Sequence, residues 1–264
     1  MSRTRLSRAG IIAVSLLGLV LFWAALAWAR GDPRVLPGPV EVADVVAREW
    51  ASGKLTFHLS ATLLRVAGAF ALAMAIGTVI GIAMGRSAAL NRWFGAWLIV
   101  LLNIPALVVI VLCYLWIGLN ETAAIVAVTL NKTAMVAVTI REGMHALDPK
   151  LADMAGAFRM TPLSRLRHIV LPQLWPFIAA STRNGLAIIW KIVLVVEFLG
   201  RSNGVGFQIH LYFQLFDIST VLAYSMSFVV IMLVIEYGLV APMEDRAVRW
   251  RRSVGPATPV EPRA

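Results

Sequence analysis

The chain has 264 residues, 59% of them hydrophobic and only 14% charged, with a formal net charge of +10 and a mean hydropathy of +0.80. A soluble domain is about one quarter charged, so this chain has too little polar surface to cover itself in water and reads as an all-α integral membrane protein. Its single cysteine, Cys113, excludes an internal disulfide framework and a Cys-rich metal site, and its basic excess, with no basic patch interleaved with aromatics, reads as cytoplasmic loops rather than nucleic-acid binding.

The length accommodates about six membrane helices of roughly 20 residues each, plus loops. Residues 1–30 read as an N-terminal transmembrane helix: Arg3, Arg5 and Arg8 precede an apolar run over Gly10–Ala29. Ala27-Trp28-Ala29 imitates a signal-peptide cleavage site, but the run is long for a signal peptide, and an uncleaved helix is the preferred reading. Residues 31–60 form a polar, periplasmic segment in which Leu36-Pro37-Gly38-Pro39 stops the first helix and Val42–Trp50 forms a short interfacial helix. The second span covers Ala61–Gly85, and its Gly68, Gly77, Gly81 and Gly85 allow close helix–helix approach. A third apolar run, Phe94–Leu119, contains Asn103 and Pro105, which predict a kink or break. Further spans follow at Thr122–Ile140, Pro172–Leu199 and Val221–Val240, and residues 243–264 form a basic, Pro-rich cytoplasmic tail.

With a cytoplasmic N-terminus and six spans, 15 of the 24 Lys and Arg residues fall in cytoplasmic segments and five in outer ones. This bias follows the positive-inside rule and places both termini and the 141–171 loop in the cytoplasm.

Within that loop, Asp148-Pro149 and Thr161-Pro162 are each a capping residue followed by proline at the first helical position. Leu151, Met154, Ala155 and Phe158 share one face of the first helix, which should stop near Met160; Leu163, Leu166 and Val170 share one face of the second. The expectation is two short amphipathic helices meeting at a sharp corner. Either they dock on a partner, or their apolar faces pack against the membrane domain or lie in the headgroup region.

The loop resembles the coupling motif of ABC importer permeases, Glu-Ala-Ala, three residues, Gly, nine residues, then Ile-x-Leu-Pro. Asp153 stands at the Glu position, Met154 and Ala155 at the two alanines, and Ile169, Leu171 and Pro172 match with the spacing intact. Arg159 stands where the motif has glycine, which should alter the backbone of the corner. Leu36-Pro37-Gly38-Pro39, the stretch His58–Val66, Trp116-Ile117-Gly118, then Trp190, Glu197, Gly200 and Gly204-Val205-Gly206, and the basic stretch Asp245–Arg252 resemble, in order, segments of the sulfonate, taurine and nitrate permeases, so that the likeness covers residues 36–252. It implies a permease core at residues 61–242, two copies around one path, a cytoplasmic ATPase dimer that receives the corner around Asp153, Ala155, Arg159, Thr161, Pro162, Leu171 and Pro172, and a periplasmic solute-binding protein. The ATP would be bound by the partner, since the sequence contains no Gly-x-x-x-x-Gly-Lys-Ser/Thr loop, and the chain itself would need no cofactor and catalyse no reaction. The setting is a bacterial inner membrane.

Lys132, Arg183, Lys191 and Glu197 fall within or near spans, and intramembrane charges face a bundle interior or a watery path. They are candidates for guiding a small anionic solute, against the alternatives of internal pairing, such as Lys191 with Glu197, or snorkelling at a span end. An ion-coupled secondary transporter is the second functional reading. It would show repeated broken helices, of which the sequence offers one, near Pro105.

Overall fold

The computed structural model describes residues 8–240 and 242. Among these residues the regular structure is helical throughout. Arg3, Arg5 and the tail at 243–264 lie outside the described residues. The helices are α1 (Arg8–Arg30), α2 (Pro39–Ala51), α3 (Lys54–Arg86), α4 (Ala88–Asn103), α5 (Ala106–Ile117), α6 (Glu121–His145), α7 (Pro149–Ala157), α8 (Pro162–Arg165), α9 (Leu171–Gly200), α10 (Val205–Gln214) and α11 (Ile218–Ile235). Two π-helical turns, Leu166–Val170 and Glu236–Val240, precede α9 and follow α11.

Three helices, at Lys54–Arg86, Glu121–His145 and Ile218–Gly238, are long and apolar enough to cross a membrane, and the bent pair α4–α5 makes a fourth crossing if taken as one span. Against the six expected spans, α1 has 23 residues, and α9 has 30 but carries Arg183, Lys191 and Glu197. The second span begins at Lys54 rather than Ala61, so the end of the supposed periplasmic segment is already helix. The break expected at Pro105 is a 96° bend. Proline has no N–H to continue the ladder, and the Pro105 carbonyl starts the next helix by accepting from Val108 N.

The chain divides into two compact units, the described parts of Met1–Leu63 with Glu197–Val230, and of Leu64–Val196 with Ile231–Ala264. In the second unit, Val66, Ile110, Val128, Ile189 and Val193 meet in one buried cluster from α3, α5, α6 and α9, and the Tyr114 hydroxyl donates to the Val196 carbonyl at 2.8 Å. The glycines of α3 make the α3–α6 contact: a Cβ on Gly77 would lie 2.6 Å from that of Val136, and one on Gly81 would lie 2.7 Å from the Ala137 carbonyl oxygen. Gly85 faces Met144 in the same way, whereas Gly68 has nothing within 4 Å. Arg65, buried on α3, makes a two-pronged ion pair with Glu121 at the start of α6, 2.6 Å from Nε. In the first unit, Val42 and Val45 of α2 pack with Ala223 of α11, while Tyr224 and Ser219 donate to Glu49 and Glu41.

Candidate functional site

In the loop, Asp148 caps α7 by accepting from Lys150 N, and Thr161 caps α8 by accepting from Ser164 N. Both capping residues and both prolines thus act as their spacing predicts. Gln173 ties the start of α7 down by accepting from Asp148 N at 3.0 Å. A groove of about 700 Å³ opens there, lined among others by Leu151, Met154, His168, Pro172 and Trp175.

The first helix ends at Ala157, and the next two backbone bonds define its stop. Met160 N donates to the Ala155 carbonyl and Arg159 N to the Gly156 carbonyl, both at 3.0 Å. This is the Schellman arrangement, which requires a left-handed residue at Arg159's place. Arg159 has φ +47°. Arginine itself thus takes here the left-handed conformation that glycine adopts without penalty. An L side chain there costs about 1 kcal/mol. Arg159→Gly is accordingly expected to raise stability by about 0.5–1 kcal/mol, measured by SDS titration of the purified protein; a loss of stability would show that the arginine side chain holds the corner.

Two other features depart from the expected pair of separate helices. The second helix does not end: α8, the π-turn and α9 follow one another without interruption. The apolar faces also do not both pack inward. Ala155, Ile169 and Val170 are buried, at 2%, 7% and 4% exposure, while Phe158 is 77% and Leu163 74% exposed. Asp153, Arg159, Thr161, Pro162, Leu171 and Pro172 are exposed.

The four intramembrane candidates separate. Lys132 is buried at 2%, its ammonium against Met135 Sδ and 3.5 Å from the Asn184 carbonyl. Arg183 and Lys191 are exposed on α9; Arg183 pairs with Glu236 at 3.3 Å, and the Lys191 ammonium stands 5.5 Å from the Trp190 ring centre. Lys191 does not pair with Glu197, which is 0% exposed.

Glu197 belongs to a polar cluster in the first unit. Its carboxyl accepts from Gly206 N and from the Thr62 hydroxyl, both at 2.9 Å. The Thr62 oxygen accepts from Val205 N at 2.8 Å, and His58 Nδ1 accepts from Gly204 N at 3.1 Å. Three side chains thus satisfy three of the N–H groups that the start of α10 leaves without a helical partner. A carboxyl there is also favoured by the helix dipole. Gly204 is the residue this arrangement needs: its φ is +109°, and a Cβ would fall on the Glu197 carboxyl. His58 and Thr62 lie in the stretch His58–Val66 that carries part of the family resemblance, and their spacing of four residues puts both on one face of α3.

The described residues thus combine several membrane-length apolar helices with a capped, exposed helix–corner–helix that follows α6. Residues 73–241 match the family described as the binding-protein-dependent transport system inner membrane component. The chain belongs to that family and is the permease component of an ABC importer. The ion-coupled alternative gives way to this membership. Among its relatives are the putative aliphatic sulfonates transport permease protein SsuC of Bacillus subtilis, 29% identical over 83% of this chain and 79% of that protein, and the taurine transport system permease protein TauC of Escherichia coli, 25% identical over 96% and 94%. The fold matches the crystal structure of a bacterial ABC transporter involved in the import of the acidic polysaccharide alginate, with a TM-score of 0.63 over 93% of this chain and 96% of that one at 13% identity.

Proposed function

We propose that two copies of this chain form the path of an ATP-driven importer for a small sulfonate-type anion. A cytoplasmic ATPase dimer would bind all the ATP, and a periplasmic binding protein would deliver the solute. Residues 61–242 serve as the permease core and 141–171 as its coupling loop, with both termini cytoplasmic. The names of the sulfonate and taurine relatives support the solute class, and the basic side chains on the spans suit an anion.

The observation that carries the ATPase contact is the exposed apolar knuckle of Phe158 and Leu163 on either side of the left-handed corner. Two large, exposed apolar side chains on a capped turn suit a partner's groove, since buried apolar anchors carry most of the energy of such contacts. Nucleotide-driven closure of the ATPase would move the loop, and with it the bundle, between two states.

The test is to tag the chain, solubilise native membranes gently and identify what co-purifies. A soluble P-loop ATPase at roughly equal amounts is expected. Asp153→Lys and Phe158→Ala should each lower its recovery about tenfold or more, as loss of a contact worth more than about 1.4 kcal/mol does, with membrane insertion unchanged. Undiminished ATPase recovery and uptake in both variants would remove the loop from this role.

A further inference from the structure

The exposed faces of the long helices differ in chemistry, and α9, at 30 residues, has the length of a span but is not among the helices apolar enough to be one on composition. On α3 the exposed residues include Leu64, Leu72, Ile76 and Val79, and on α11 Val230, Leu233 and Val234. Those faces suit hydrocarbon. On α9 the exposed residues between 183 and 195 are Arg183, Asn184, Ala187, Ile188, Lys191 and Val195. Asn184, Lys191 and Val195 repeat at seven and four residues, so they form one stripe along the helix. Charge on a membrane helix is costly against lipid and is found facing a bundle interior or a water-filled cavity. Within its own chain this stripe faces neither a core nor a carboxylate: among the described residues Lys191 has the Trp190 ring and no acidic partner. Arg183 is different, because Glu236 stands 3.3 Å away and offsets its charge. The stripe therefore presents one uncompensated positive charge, with an amide two turns before it.

We propose that this face of α9 lines the aqueous solute path and that Lys191 is its anion-selecting residue, attracting a sulfonate-type headgroup while Arg183 is held neutral overall by Glu236. The proposal rests on the importer reading and deepens it. Lys132, buried inside its own chain, has no part in the selection. Two copies would bring two such lysines to one path, and repulsion between them is relieved when an anion lies between.

Cysteine labelling in native membranes tests this without knowing the natural solute. In a Cys113→Ala chain, a single cysteine is placed at Asn184 or Val195, with Leu64→Cys and Val230→Cys as lipid-facing controls. The probes are 2-sulfonatoethyl methanethiosulfonate, an anion and itself a sulfonate, and its trimethylammonium counterpart. Positions 184 and 195 should react at least tenfold faster than the controls. Val195 lies one turn, about 6 Å along the axis, from Lys191, so Lys191→Gln should lower the anion-to-cation rate ratio at Val195→Cys about tenfold, and Lys191→Arg should preserve it. Reaction at 184 and 195 no faster than at the controls would mean that lipid or a second copy seals the face, and overturns the proposal; so would a ratio that moves less than twofold in Lys191→Gln. ATPase co-purification is scored on the same membranes. Retained ATPase with an unreactive stripe sinks this inference alone, whereas a reactive, anion-selective stripe with no ATPase sinks the importer reading.

Discussion

Gly204→Ala is expected to destabilise the protein by about 3–5 kcal/mol, from backbone strain of order 1–3 kcal/mol added to the loss of buried hydrogen bonds. The backbone at Gly204 has φ +109°, a region that an L side chain enters only at such a cost. The added Cβ would also displace the Glu197 carboxyl, which is fully buried and serves both Gly206 N and the Thr62 hydroxyl. Moving it leaves buried donors unsatisfied, at about 1–3 kcal/mol each. Thr62→Val keeps the shape and removes the oxygen that accepts from Val205 N, so it should cost about 1–3 kcal/mol alone. SDS titration of the purified variants measures both. A Gly204→Ala protein within about 1 kcal/mol of its parent would show that α10 is not anchored through this cap.

The second large effect carries its own control. Gly81→Ala places a methyl 2.7 Å from the Ala137 carbonyl oxygen and from Ile140 Cβ. Neither is the free end of a flexible side chain, so α3 and α6 must move apart, at roughly 2–4 kcal/mol of lost packing. Gly68→Ala, on the same helix with nothing within 4 Å, should instead gain about 0.5–1 kcal/mol from helix propensity. Opposite signs on one helix, in the same unfolding assay, are the expected result. A loss of similar size at both positions would mean that glycine serves flexibility rather than close approach.

Local features were legible because local chemistry decides them. The two cap-plus-proline starts at Asp148 and Thr161, the break at Pro105 and the close approach at Gly77, Gly81 and Gly85 each follow from a few adjacent residues or one helical repeat. The cap on α10 was not legible. Thr62 and Glu197 are 135 residues apart and His58 and Gly204 are 146 apart, and no periodicity links them. Glu197 reads in the sequence as a candidate for guiding the solute, but its job as a cap depends on where α3 begins and α9 ends. The corner was half legible. Its helix stop could be placed near Met160, but an arginine at left-handed φ runs against residue preference, and the outward turn of Phe158 and Leu163 runs against the amphipathic pattern. The separation of Lys132 from Arg183 and Lys191 needed the packed bundle, because a lysine in an apolar run reads the same whichever way it faces.

The π-turn at Leu166–Val170 bears on which changes of chain length this region can absorb. A π-turn holds one residue more than the α-turn it replaces. Removing one residue from 166–170 would close it into unbroken α-helix and leave the side chains on either side facing as before. Removing one residue further along α9, at Ile188 for instance, would rotate every later side chain by about 100°, carrying Lys191 off its stripe. Single-residue deletions tiled through this helix should therefore be accepted at the π-turn and rejected beyond it. A homologue one residue shorter here aligns correctly only when its gap is set within 166–170.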